Sequence, residues 1–280
     1  MKRSNKRIIP GFGLSMGVTV TLLSVIVLIP LASLVIFTAQ LSLGDIIAVI
    51  TRDRVLASFR VSFLTAFVAS LINAVMGVIL AWVLVRYDFP FKRILDGMIE
   101  LPFALPTAVA GIALTSLTAD KGIIGSFFAR FGIKIAYTRV GITVALVFIG
   151  IPFVVRAVQP VLEKLDGSLE EAASTLGASR SRTFWQVIFP EIMPAVFTGF
   201  GLAFGRCLGE YGSVVFIAGN QPFETEITPL IIMSELQEYD YASATAIALV
   251  MLAASFLILF LVNLIQVRNS KILKGGGKGA

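Results

Sequence analysis

Two charged side chains four positions apart, Arg206 and Glu210, interrupt a stretch otherwise free of charge from about Ile192 to Ile217. If that stretch is helical, a four-residue spacing puts both on one face. Counted from Pro194 at 1.5 Å per residue, Arg206 lies about 18 Å along the axis, near the middle of a bilayer. Charge at that depth is expensive, and it faces a bundle interior or an aqueous path. Two readings fit. The pair is a mutual salt bridge that locks helices together, or it is a translocation path or gate for an anion, with Arg206 supplying positive potential and Glu210 moderating it. Gly201, Gly205 and Gly209 recur at four-residue intervals beside them, a ridge that suits close helix packing. Covalent chemistry is poorly provided for. The chain has no histidine, and its single cysteine, Cys207, has no basic neighbour other than Arg206. A disulfide framework, a Cys/His metal cluster and histidine-based catalysis are therefore excluded, and no metal or cofactor is expected.

A second constellation lies just before this stretch, in a polar segment spanning 161–193. Leu165, Leu169, Ala172, Ala173 and Leu176 recur at helical spacing and form one apolar face. Ser168 and Glu171 have the S-x-x-E spacing of a capping box. Gly177 follows where a helix would end in a left-handed residue. A second helix is expected from near Ser181, with Phe184, Trp185 and Ile188, limited by Pro190. The segment reads as a short helix, a tight glycine turn and another helix.

The elements that must hold these residues are membrane spans. The chain has 280 residues, of which 57% are hydrophobic and 14% charged, and its mean hydropathy is +0.91. Soluble domains carry about a quarter charged residues. The net charge of +6 could suggest nucleic acid, but the basic residues sit in short patches flanking apolar runs, as topology signals do. A spanning helix needs about 20 apolar residues, and six such stretches appear: about Leu14–Thr38, Val61–Val85, Leu101–Leu117, Val140–Pro160, Ile192–Ile217 and Tyr241–Val267. The first is too long for the core of a cleaved signal peptide, so an uncleaved span is expected. Lipid offers no partner for a bare amide, so each span must be helical. Pro102 with Pro106, and Pro152 with Pro160, predict bends in the third and fourth.

With the N-terminus inside, Lys and Arg divide fifteen to seven in favour of the inner segments, which places both termini and the 161–193 segment in the cytoplasm. The expected architecture is an all-α, six-span bundle over 14–267, with a basic cytoplasmic start over 1–13 and a flexible cytoplasmic tail over 268–280. Ile123–Phe131, in the third loop, is expected at the interface or partly re-entrant. No internal repeat is visible.

The hairpin resembles the E-A-A-x3-G-x9-I-x-L-P signature of ABC importer permeases: Glu171, Ala172, Ala173, Gly177 and Pro190 match, with Val187 in place of Ile and Phe189 in place of Leu. Gly205 to Gly212 followed by Phe216 to Asn220 looks like the fifth-span pattern of oxyanion permeases for sulfate, thiosulfate and molybdate. Leu101 to Gly111, Ile151 to Leu162 and Gln237 to Tyr241 are similar to the sulfate branch in particular. The likeness runs from about Arg7 to Gln266 and points to the T-type permeases of sulfate/thiosulfate importers.

That resemblance implies a type I ABC importer permease fold in a bacterial inner membrane, with no catalysis of its own. It implies a second related permease, two copies of an ATP-binding subunit docked on the hairpin (Ser168, Glu171, Ala172, Ala173, Gly177, Pro190), and an extracytoplasmic binding protein. The lipid bilayer is the remaining partner, and nucleic acid is not one. The alternatives are a related oxyanion permease, such as one for molybdate, and an ion-coupled secondary transporter. The latter predicts deep carboxylates in several spans, whereas Glu210 stands alone. No G-x4-G-K-[ST] phosphate loop is present, which agrees with ATP hydrolysis in a partner.

Overall fold

The computed structural model describes residues 12–275, with side chains as far as 264. The basic segment 1–11 and residues 276–280 lie outside the described residues. Among the described residues, five helices are long and apolar enough to cross a membrane, and a bent pair makes a sixth crossing possible. They are α1 (Phe12–Thr38), α3 (Asp53–Arg86), α8 (Arg139–Lys164), a helix running Arg180–Leu208, and α14 (Tyr241–Gly275), which follows the short α13 (Thr228–Gln237). Between α1 and α3 lies the short α2 (Leu43–Ile50). Between α3 and α8 come α4 (Lys92–Ile99), α5 (Leu101–Ala104), α6 (Thr107–Thr118) and α7 (Ile123–Ala129).

The third span is therefore not the single helix expected over Leu101–Leu117. The chain leaves helical geometry at Leu105, as the residue before a proline is pushed to do, and restarts at Thr107. α7 then turns away from α6 by 42°, so Ile123–Ala129 forms a bent continuation. In contrast, α8 passes both Pro152 and Pro160 as one element. At the far end α14 continues through 268–275, so that part of the expected flexible tail is helical.

The bundle core is α3, α8 and the fifth span. Val78, Ala81, Val154, Val155, Val158, Ile192 and Ala203 form one buried cluster, and Val61, Ile142, Leu146, Phe204 and Cys207 anchor another. Lipid tails are as apolar as these side chains, so burial alone does not drive assembly there; close van der Waals packing does. It depends on two glycines. A Cβ on Gly77 of α3 would lie 2.6 Å from Val154 Cβ, and one on Gly199 of the fifth span would lie 2.7 Å from Val154 Cα. α1 is apolar on every side and buries none of its spanning window. Its main neighbour is α14, so it is a lipid-facing helix.

Candidate coupling hairpin and charged helix break

The polar hairpin consists of α9 (Ser168–Thr175), a turn, and α10 (Arg180–Thr183), which passes through one π-type turn at Phe184–Ile188 into α11 (Phe189–Leu208). The capping box expected at Ser168 is not formed. Ser168 is already helical, and its amide donates to Asp166 Oδ1 at 3.0 Å. Hydrogen bonds from the Ser168 amide and hydroxyl hold the Asp166 carboxyl below the usual carboxylate range. Asp166 wins because it precedes the helix and can turn back over its first turn. A reciprocal box does form at α2, where Ser42 Oγ accepts from the Asp45 amide at 3.1 Å and Asp45 Oδ2 accepts from the Ser42 amide at 3.2 Å.

At the other end of α9, Gly177 has φ +78, where any Cβ would be strained. The Gly177 amide donates to Ser174 O at 2.9 Å and the Ala178 amide to Ala173 O at 3.0 Å, the paired bonds of a Schellman cap. Ser179 caps α10, its hydroxyl accepting from the Arg182 amide at 3.3 Å. Pro190 does not stop the second helix, contrary to expectation. A proline has no amide to give and crowds the turn before it. The π-type turn directly ahead, closed by the Phe189 amide to Phe184 O, widens the helix there and lets it run on. The second arm of the hairpin is thus the beginning of the fifth span.

α9 buries no residue. Leu176 is 88% exposed and Leu169 43%, Glu171 and Ala172 are exposed, and Ala173 is half-buried. Beneath it lies an aromatic base: Trp82 of α3 meets Phe184 edge-on at 5.3 Å, and Trp185 meets Phe184 and Phe189 at 5.1 and 4.9 Å. Glu170 turns away from the exposed face and pairs with Arg86.

The second region departs from expectation in another way. α11 ends at Leu208, and Gly209 closes it. Glu210 therefore lies in a break, followed by α12 (Val214–Ile217), rather than inside one helix running to Ile217. Its carboxylate is 2% exposed and fully used. Oε2 accepts from Arg206 Nη1 at 2.6 Å, while Oε1 accepts from the Ser213 amide at 2.8 Å and the Ser213 hydroxyl at 3.0 Å. The break is stable because this one acid supplies acceptors that the lost helical carbonyls would have given. The mutual salt bridge is formed.

Arg206 remains about a third exposed. It faces an open groove of about 500 Å³ between α11 and α14, lined also by Leu202, Gly205, Leu259 and Val262. A Cβ on Gly201 or Gly205 would touch Leu259 at ordinary distance, and one on Gly209 would meet nothing.

Sequence reading missed what seats the break. A Cβ on Gly111 of α6 would lie 2.7 Å from Ser213 Cα, and one on Gly212 would overlap the Thr107 hydroxyl. The half-helix of the third span and the break of the fifth are in backbone contact. The signal was present in Gly209 and Gly212 flanking an acid, but hydropathy carries on through Val214–Ile217 and hides it. Asn73 was missed as well: it is wholly buried in α3, beside Gly150.

Five or six spans, a capped polar hairpin feeding the fifth and a break beyond it define a multi-pass membrane protein. Residues 73–271 match the family described as "Binding-protein-dependent transport system inner membrane component", and the chain belongs to that family of inner-membrane permeases. Among its relatives is the "Sulfate transport system permease protein CysT" of Escherichia coli (strain K12), 50% identical over 97% of this chain and 98% of that protein. The protein of the same name from Synechocystis sp. is 48% identical over 89% of this chain and 87% of its own length. A solved bacterial ABC transporter "involved in the import of the acidic polysaccharide alginate" superposes with a TM-score of 0.76 at 15% identity, covering 92% of this chain and 96% of that one. At that identity the likeness concerns the fold.

Proposed function

We propose that this chain is the membrane-spanning permease subunit of an ATP-driven importer of sulfate and thiosulfate. Both termini and the 161–193 hairpin lie in the cytoplasm. An ATP-binding subunit docks on α9, two copies of it serve a pair of related permeases, and an extracytoplasmic binding protein delivers the anion. The observation that carries this reading is α9 itself: a helix capped at both ends that buries nothing of its own chain. Ala172 and Ala173 let a partner's backbone come close, Leu169 and Leu176 offer apolar contact, and Gly177 sets the angle into α10. Because α10 is continuous with the fifth span, a push on α9 reaches the Arg206–Glu210 break. The sulfate relatives supply the substrate class, and Arg206, part-exposed in its groove, is suited to an anion's passage.

The test is reconstitution of the complete transporter in liposomes. Binding protein loaded with sulfate or thiosulfate should stimulate ATP hydrolysis and uptake together, and molybdate should do so less. A cysteine at Ala172 should cross-link to the ATP-binding subunit. Uptake by this chain alone, driven by an ion gradient, would overturn the reading; so would labelling that puts 168–190 outside.

A further inference from the structure

α9 is tied to the bundle more sparingly than its proposed role requires. Its chain connections are the loop from α8 and the Gly177 turn into α10, and it buries no side chain. A helix that rests so lightly on the bundle would swivel when pushed. One side-chain link prevents this: Glu170 pairs with Arg86, the last residue of α3. The Arg86 guanidinium also lies over the Trp82 ring, 5.4 Å from its centroid, and Trp82 rests edge-on against Phe184. Stacking and charge together fix the fork in place.

The other end of the same helix is tied in a similar way. Arg54, the second residue of α3, makes a two-pronged pair with the buried Glu226, Nε to Oε2 at 2.8 Å and Nη2 to Oε1 at 2.6 Å. Ser62 Oγ accepts from the Thr228 amide at 2.8 Å and donates to Thr228 Oγ1 at 3.1 Å. α3 is one unbroken helix of 34 residues, about 51 Å long at 1.5 Å per residue. Its two ends thus grip the hairpin on one face of the membrane and the 221–228 segment on the other.

We propose that α3 is a connecting rod, and that Arg86 and Glu170 are positioning residues forming its inner joint, through which displacement of α9 reaches the 221–228 segment. This rests on the coupling role of the hairpin proposed above. It differs from that role in naming a second route, through the second span, beside the covalent one through α10 and the fifth.

The experiment uses the complete reconstituted transporter with Arg86→Glu, Glu170→Arg and the two combined, and with Arg86→Gln as a milder change. Uptake per ATP hydrolysed is measured alongside the amount of chain and of bound ATP-binding subunit. A fluorophore on Gln221→Cys, an exposed position, reports on the outer segment; Cys207 is buried and spared. Each single charge reversal should lower uptake per ATP by about fivefold or more and abolish the ATP-dependent change at position 221, with the ATP-binding subunit still bound. The double reversal should recover most of the ratio, and Arg86→Gln should fall between. Losses that add in the double variant would overturn the proposal, as would a normal ratio in Arg86→Glu with the partner bound. Loss of partner binding in Glu170→Arg that Arg86→Glu does not repair would assign Glu170 to the partner's surface instead. Absence of the Ala172 cross-link in the unmodified complex would mark failure of the coupling reading itself.

Discussion

The hairpin and the helix break solve opposite problems with the same kind of residue. At the break, Glu210 is buried and each carboxylate oxygen is occupied, by Arg206 on one side and Ser213 on the other. At the hairpin, the acid at the start of α9 is exposed; Asp166 caps the helix from outside, and the apolar residues that follow are left bare. The break is finished within this chain. The hairpin is complete in its backbone and incomplete in its surface, which is what the proposed docking of another subunit requires. An exposed cap is worth little to the fold, whereas a buried acceptor shared by two donors is worth a great deal.

Substitutions can break or sharpen this contrast. The largest effect on stability is expected for Glu210→Ala, which strands the Ser213 amide and leaves Arg206 unpaired at about 2–3 kcal/mol; thermal unfolding in detergent and abundance in the membrane should both fall. Gly177→Val forces a β-branched residue to a positive φ at about 1–2 kcal/mol of local strain. Because α9 lies outside the packed core, the chain should still accumulate in the membrane while ATP-dependent uptake is lost; normal uptake would erase the distinction between the two regions. Arg206→Gln is gentler, since Glu210 keeps both Ser213 bonds. Transport falling further than abundance would show the groove serving anion passage, and equal losses would reduce Arg206 to a structural partner.

The smallest effect concerns Asp166→Asn. Hydrogen bonds lower the folded-state pKa of Asp166, so its stabilising contribution is present above the unfolded carboxylate value near 3.9 and is lost as pH falls through the lower folded value. At neutral pH the substitution should leave thermal unfolding almost unchanged, because the group is exposed to solvent. A large shift would mean that α9 is part of the stability core after all.

The spans were legible because their signal is summed over many residues: apolar runs with few charges located five helices and matched α1 and α8 to within a few residues at both ends, whereas α3 starts earlier, at Asp53, and the fifth span runs from Arg180 to Leu208. Gly177 was legible because a glycine after an amphipathic turn has one main use. What escaped was decided by single competing groups. Asp166 displaced Ser168 as the cap because it lies two residues upstream, outside the pattern sought. Pro190 passed through a helix because the preceding turn could widen. The fifth span ended early because Gly209 and Gly212 permit what Ser213 and Glu210 then stabilise, a cooperation among four residues that no hydropathy average reports. Asn73 was invisible because an asparagine inside a charge-free span barely moves the mean.

Val154 fills two notches at once, the gap at Gly77 on one neighbour and the gap at Gly199 on the other. A helix seated in a single groove can slide or roll along it. One wedged into two grooves on different partners at the same residue, by its side chain at Gly77 and by its Cα at Gly199, has no direction in which to roll without climbing out of both. The second, fourth and fifth spans are therefore locked against rolling past one another at this one level of the bundle.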